Sequence, residues 1–197
     1  MAVNILGVGA SMRQHSNSTA ALKIALGGAK KHGAQTRLLD LRETKLPLYK
    51  TDNGESSESE IHKVEEDVNW ADAFILASPD YHGSMSGTMK NFLDYFWTEF
   101  AGKMFGYICS SHEKGLTVMD HMRTAVRQCY GWSMPYGVSI HGGEDFDDNG
   151  KITNDELYVR LEMLARDLVV YGELVRTQFT RDLKSDLAET FASHYRK

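Results

Sequence analysis

Three features of this 197-residue chain predict a doubly wound α/β fold, a five-stranded parallel sheet with helices on both faces. Short apolar runs alternate with segments of helical periodicity along most of the sequence. One run, Ala73-Phe74-Ile75-Leu76-Ala77-Ser78, is too apolar to have a wet face and reads as a central parallel strand. Polar turns follow the first, third and fourth predicted strands, at the carboxyl edge where such sheets bind ligands.

In chain order, the strand at residues 3–8 leads to a helix at about 18–32. The strand Arg37-Leu38-Leu39-Asp40-Leu41 leads to an acidic, serine-rich loop and a helix near 58–70. The central strand at 73–78 precedes a helix at about 86–98, and Met104-Phe105-Gly106-Tyr107-Ile108-Cys109 precedes a helix near 117–131. Gly137-Val138-Ser139-Ile140 is the fifth strand and 153–171 a long helix. From Arg181 to Lys197, Leu183, Leu187, Phe191 and Tyr195 recur every four residues, which predicts a C-terminal amphipathic helical extension.

With 42% hydrophobic residues and only three prolines, the chain is expected to form one domain. Its start lacks the basic and apolar segments of a signal peptide, and no run approaches the ~20 apolar residues of a membrane span, so a cytoplasmic protein is expected. Cys109 and Cys129 form no C-x-x-C pair and suit a reducing compartment. A net charge of −5 with scattered Lys and Arg argues against a nucleic-acid partner.

The turn from Ala10 to Thr19 carries the strongest chemical signal. A helix begins with unpaired N–H groups and the positive end of its dipole, so hydroxyls and a guanidinium delivered there gather donors around a dianion. Ser11, Ser16, Ser18 and Thr19 supply hydroxyls, Asn17 an amide, and Arg13 a forked cation. No Gly-Lys-Ser/Thr closes the turn, and Met12 stands at the third glycine position after Gly7 and Gly9, so neither Walker A nor the dinucleotide fingerprint applies. A phosphomonoester grip remains, beside the alternative that Ser16, Asn17 and Ser18 only cap a helix.

The other turns at that edge are also distinctive. In Ser78-Pro79-Asp80-Tyr81-His82-Gly83-Ser84-Met85-Ser86-Gly87, Pro79 fixes the strand exit, Gly83 lets backbone approach a flat ligand, and Ser86 is placed to cap the next helix. Ser110-Ser111-His112-Glu113-Lys114-Gly115 ends the fourth strand. Each alone reads first as a surface loop; three polar turns on one edge read as a site for a planar ring system with a phosphate tail.

Ala10-Ser11-Met12-Arg13-Gln14-His15-Ser16 resembles the Gly-Ser-x-Arg-x-x-Ser turn of the NADPH-dependent FMN reductases, and Ser78 to Ser84 with Lys90-Asn91 resembles their Ser-Pro-Glu-Tyr-Asn-Gly-Ser segment and following Lys-Asn. Ala10, His82 and the Ser110-Ser111-His112-Glu113 loop depart from the family pattern. The resemblance implies a flavodoxin-like sheet of order 2-1-3-4-5 and bound FMN. It also implies ping-pong hydride transfer from NADPH or NADH to a small-molecule acceptor such as a flavin, quinone or azo compound. Ser11, Arg13, Ser16, Asn17 and Ser18 would hold the phosphate. Pro79, Asp80, Tyr81, His82 and Gly83, with Ser110, Ser111, His112 and Gly115, would border the isoalloxazine. Since the cofactor carries the chemistry, no catalytic side chain is required. Backbone N–H groups of Tyr81, His82 and Gly83 would face the flavin O4 and N5 edge, and His82 or His112 would tune it, unless they are ordinary loop histidines. A flavodoxin-type electron carrier with little NAD(P)H oxidase activity, or a flavin-free nucleotide-binding module, is compatible with the same edge.

Two further segments carry expectations. Asp145 to Glu156 satisfies the EF-hand spacing but follows a strand and a glycine turn instead of a helix, so Thr153 and Glu156 are expected to cap the last helix without holding calcium. Five aromatics between Met89 and Phe100 spread wider than one sheet-facing stripe, which predicts contact with another subunit in a homodimer or homotetramer, as the resemblance also implies.

Overall fold

The computed structural model describes residues 2–51, 59–147 and 149–196. Strands β1 (Asn4–Gly9), β2 (Gln35–Asp40), β3 (Ala73–Pro79) and β4 (Met104–Ser110) are all parallel, and β5 (Trp132–Ser133) completes the order β2-β1-β3-β4-β5. β6 (Val138–Ile140) also pairs with β4, farther along its length. The predicted fifth strand is thus a position shared by two short strands. Met134 N–H still bonds Phe105 O, at 2.8 Å, but Pro135 has no N–H to give, so pairing stops and resumes at Val138.

Alternate residues of the central strands enter two separate cores, as the twofold period of a strand requires. Ile5, Ala73, Ile75 and Ile108 pack under α1 (Asn17–Lys31) and α5 (Asp155–Leu183). Leu6, Val8, Phe74, Leu76 and Tyr107 pack under α2 (Ser59–Trp70), α3 (Gly87–Asp94) and α4 (Leu116–Gln128). Both faces are covered, and function is left to the loop edge. The expected serine-rich loop lies mostly outside the described residues. No helix among the described residues is long and apolar enough to cross a membrane.

Three helix expectations are corrected. The predicted helix 86–98 ends at Asp94, because the Glu99 carboxylate accepts Trp97 N–H at 2.9 Å and so competes with the helical ladder. A short 3₁₀ turn, Thr98–Phe100, then folds back. This break buries Phe92, Phe96 and Phe100 together against Phe74 and Phe105, so most of the broad aromatic set belongs to the core of this chain, while Trp97 stays 65% exposed.

The last long helix runs twelve residues beyond the predicted 171, to Leu183. Arg176 there pairs with Asp72 at 3.1 Å, and the Phe179 ring lies over Gly102. The predicted C-terminal amphipathic helix is absent. Ser185 Oγ donates to Asp182 O, and Arg196 donates to Asp182 O and Ser185 Oγ, which closes the helix and returns the tail. Phe191–Tyr195 is a 3₁₀ turn whose rings meet Tyr130 and Phe179, and Leu187 is left 59% exposed. Asn154, not Thr153, caps α5, accepting from Glu156 N and Leu157 N. Among the described residues no cluster of His, Cys, Asp or Glu is arranged to hold a metal.

Lys103 is buried at 6% exposure, with Nζ donating to Val68 O at 2.8 Å near the end of α2 and lying 5.7 Å from the Phe74 ring centre. Burial, and then the charge of Arg176, lower its pKa from 10.5 to about 8. Above the folded value the unfolded chain binds more protons, so Lys103 makes stability rise from about pH 8 to 10.5. Urea unfolding of the wild type and Lys103→Met at pH 7 and 9.5 should show the difference moving in favour of the wild type at the higher pH. A pH-independent difference would refute the shift.

Candidate active site

The first wall of the site is the junction of β1 and α1. Ala10 N–H bonds Ala77 O, and Ala10 O accepts from both Ser86 Oγ (2.8 Å) and Thr88 Oγ1 (2.9 Å), so the turn is tied to the neighbouring strand and to the start of α3. Ser16 is the N-cap, its Oγ accepting from Thr19 N and lying 2.9 Å from Ser18 Oγ. Capping and ligand binding are therefore compatible, since Ser16 does the first while facing the cavity needed for the second. Ser11 and Ser18 are almost fully buried, at 2% and 1% exposure. The Arg13 N–H bonds Ser11 Oγ, but the N–H groups of Met12 and of Gln14 through Ser18 have no partner among the described residues. Nor does the exposed Arg13 guanidinium. Unpaired donors at a helix start are suited to receive an anion.

The second wall follows β3. Tyr81 and Ser84 exchange backbone hydrogen bonds (3.0 and 3.2 Å) around His82 and Gly83, with φ of 58° and 77°. A two-residue turn with both central φ positive is type I′, which glycine enters freely and histidine more readily than most residues. Asp80 locks it: its Oδ1 accepts from Gly83 N at 2.8 Å and its Oδ2 from Ser111 Oγ at 2.7 Å, joining this turn to the loop after β4. Of the three N–H groups expected to face a ligand, Tyr81 and Gly83 are used internally. The His82 N–H has no partner among the described residues.

The third wall is the loop after β4, with Ser111 N–H bonded to Ile140 O at 3.0 Å. His112 meets His141 edge to face, ring centres 5.9 Å apart, and the His141 ring lies 3.7 Å from Glu144. Gly115, at φ 60°, is buried against Cys109. A Cβ there would lie 2.4 Å from the Cys109 sulfur, so this glycine shapes the loop without reaching the cavity. Burial, and then the Asp80 charge, push the Cys109 thiol up to about 12, which excludes it as a nucleophile at neutral pH.

These walls enclose a cavity of about 650 Å³. Every residue expected to hold the phosphate or border the ring lines it except Gly115, while Thr19, a further hydroxyl of the first turn, stays outside it: Ser11, Arg13, Ser16, Asn17 and Ser18 lie at one end, Pro79 to Gly83 and Ser110 to His112 along the sides. Glu113, part of the expected loop, lines it too, whereas sequence reasoning missed His15, Leu116, Thr117, Gly142 and Gly143. Gly142 and Gly143 had a readable signal, a glycine pair just past a parallel strand at the same edge. Asn17 Nδ2 donates to Gly142 O at 3.3 Å and draws that fourth loop against the first turn.

Unpaired donors at the first βα turn, continued by a slot between loops at the topological switch point, form the edge at which sheets of this flavodoxin-like order bind a mononucleotide. The profile of the NADPH-dependent FMN reductase family matches residues 3–145, and the chain belongs to that family. It is 30% identical over 175 residues to the FMN-dependent NADPH-azoreductase of Staphylococcus saprophyticus, covering 82% of this chain and 90% of the relative. Among solved structures it resembles FerB, a flavoenzyme NAD(P)H:(acceptor) oxidoreductase from Paracoccus denitrificans, with a TM-score of 0.74, 17% identity and coverage of 87% and 98% of the two chains. It also resembles an archaeal flavodoxin, with a TM-score of 0.62, 12% identity and coverage of 87% and 99%.

Proposed function

We propose that the chain holds FMN in this cavity and transfers reducing equivalents from NADPH or NADH to an azo compound, with a quinone or free flavin as related acceptors. The observation that carries the reading is the run of N–H groups at the start of α1, beside the Arg13 guanidinium, that have no partner among the described residues. That donor set suits a phosphomonoester, and pockets of ~300–1,000 Å³ are the usual size for a small-molecule ligand. The azo acceptor rests on the staphylococcal relative.

Ser11, Ser16 and Ser18 hydroxyls, the Asn17 N–H and Arg13 would hold the phosphate, and the Pro79–Gly83 turn and Ser110–His112 would flank the ring. When bound, FMN supplies the two-electron chemistry, accepting hydride from nicotinamide and giving it to the acceptor. The chain's own task is position and charge. The His82 N–H, together with the His82 and His112 side chains on the cavity wall, would stabilise negative charge at the ring edge, and the Asp80 locks keep those donors in place. The exposed mouth serves donor and acceptor in turn, which supports ping-pong kinetics. The exposed Trp97 and Trp132 rings support a homodimer or homotetramer, and two free thiols support a reducing, cytoplasmic setting.

The purified protein should take up FMN stoichiometrically, lose its yellow colour when mixed anaerobically with NADPH, and regain it as an azo dye is bleached. Failure to take up FMN would reject the site. Uptake without reduction by NADPH or NADH would reject the enzyme and leave a flavodoxin-type carrier.

A further inference from the structure

We infer that His112 is a catalytic residue of the proposed reaction, the acid that gives the azo acceptor its proton. The inference rests on FMN occupying the cavity with its ring beside the loop after β4. Reduction of an azo group to a hydrazo group takes one hydride and one proton. The hydride forms an N–H bond at one nitrogen, the π pair of the N=N bond moves to the other nitrogen, and that pair takes the proton. The hydride comes from NADPH or NADH by way of the cofactor, but the proton has to come from the chain or from water.

The loop after β4 is held on both sides of His112. Ser111 N–H bonds Ile140 O at 3.0 Å, Ser111 Oγ donates to Asp80 Oδ2 and accepts from Glu113 N–H, and Ser139 Oγ donates to Lys114 O at 2.6 Å. His112 lies between these anchors, exposed and on the cavity wall, and neither of its ring nitrogens has a hydrogen-bond partner among the described residues. An imidazolium can therefore present its N–H to a bound acceptor, give up the proton and, left neutral, regain one from water at the open mouth. The His112 ring is steadied by its edge-to-face contact with His141, which stands outside the cavity lining. His141 is itself fixed, its backbone N–H by the buried Asp145 carboxylate at 2.6 Å and its Nε2 by Glu144 Oε1 at 3.7 Å, so it acts as a positioning residue. The other polar groups of the lining are less suited. Both Asp80 oxygens already accept hydrogen bonds, and a guanidinium such as that of Arg13 does not release its proton. His82 stands at the tip of its turn, with no ring contact or ion pair among the described residues to steady it.

The test compares two acceptors, mixed rapidly and anaerobically with FMN-loaded protein that has first been reduced. An azo dye needs a proton with its electrons, whereas ferricyanide takes single electrons and no proton. His112→Ala, a change at an exposed position, should slow azo reduction relative to ferricyanide reduction about a hundredfold, the usual worth of a positioned general acid. A shift in the potential of the ring would act on both acceptors, so the ratio reports the proton. Free imidazole should restore azo reduction in this variant in proportion to its concentration and leave ferricyanide reduction as it was. An unchanged ratio, or a lowered one that imidazole does not raise, would overturn the inference. A readout without turnover tests the placement: the His112 Cε1–H resonance of the FMN-free protein, assigned by its loss in His112→Ala, should shift as FMN is added. Protein that takes up no FMN defeats the assignment of the cavity, whereas loaded protein with an unmoved His112 resonance defeats this inference alone.

Discussion

Phe74→Ala should lower the free energy of unfolding by about 3–5 kcal/mol, the usual loss when a buried aromatic ring leaves a cavity. Phe74 is fully buried in β3, stacked on Phe105 with centres 4.6 Å apart and planes 5° apart, and edge-to-face with Phe100 at 5.3 Å. Parallel strands β1 and β4 flank it, so the backbone cannot collapse into the gap without breaking its ladder. The Lys103 ammonium would also lose its nearest aromatic face. Native domains are stable by only ~5–15 kcal/mol, so the variant should unfold at a much lower urea midpoint with an unchanged slope. A loss under ~1 kcal/mol would mean that this core repacks, against the rigidity argued above.

Arg13→Ala should weaken FMN binding by about 1.5–3 kcal/mol, roughly ten- to a hundredfold in Kd, which is the worth of a charge-assisted hydrogen bond. Because the guanidinium is exposed and has no partner among the described residues, FMN-free stability should stay within ~0.5 kcal/mol of the wild type. Arg13→Lys should recover only part of the affinity, since an ammonium lacks the fork that grips two phosphate oxygens. Flavin fluorescence titration at fixed ionic strength measures both variants. Unchanged affinity in Arg13→Ala would remove Arg13 from the phosphate site.

The order of strands and helices was legible because β1, β3 and β4 are largely apolar runs, β2 carries the Leu38-Leu39 pair, and each crossover helix has its own period. Ser86 was legible as a cap for the same local reason: its Oγ needs only the N–H three residues ahead, on Met89. Residues of the first, third and fourth loops could be grouped because parallel topology sends all those turns to one edge. The errors have a different origin. α3 stops at Asp94 although its sequence continues to favour helix, because Phe100 folds back onto Phe74 and Phe105 and Phe96 packs between Phe92 and Phe100. α5 outruns its predicted end because Asp72 and Gly102, far away in sequence, offer Arg176 and Phe179 places to dock.

Local patterning was therefore sufficient for the layered α/β architecture and for the polar loop edge with its capped start of α1, since propensity, capping and periodicity act within a few residues. The Tyr81 and Gly83 N–H groups are taken by bonds inside their own turn, each to a residue three positions away, whereas long-range packing drew Gly142 to Asn17 and the Ser111 N–H to Ile140 and laid Phe179 over Gly102. Those outcomes depend on which groups meet across the folded chain, and such meetings leave no period in the sequence.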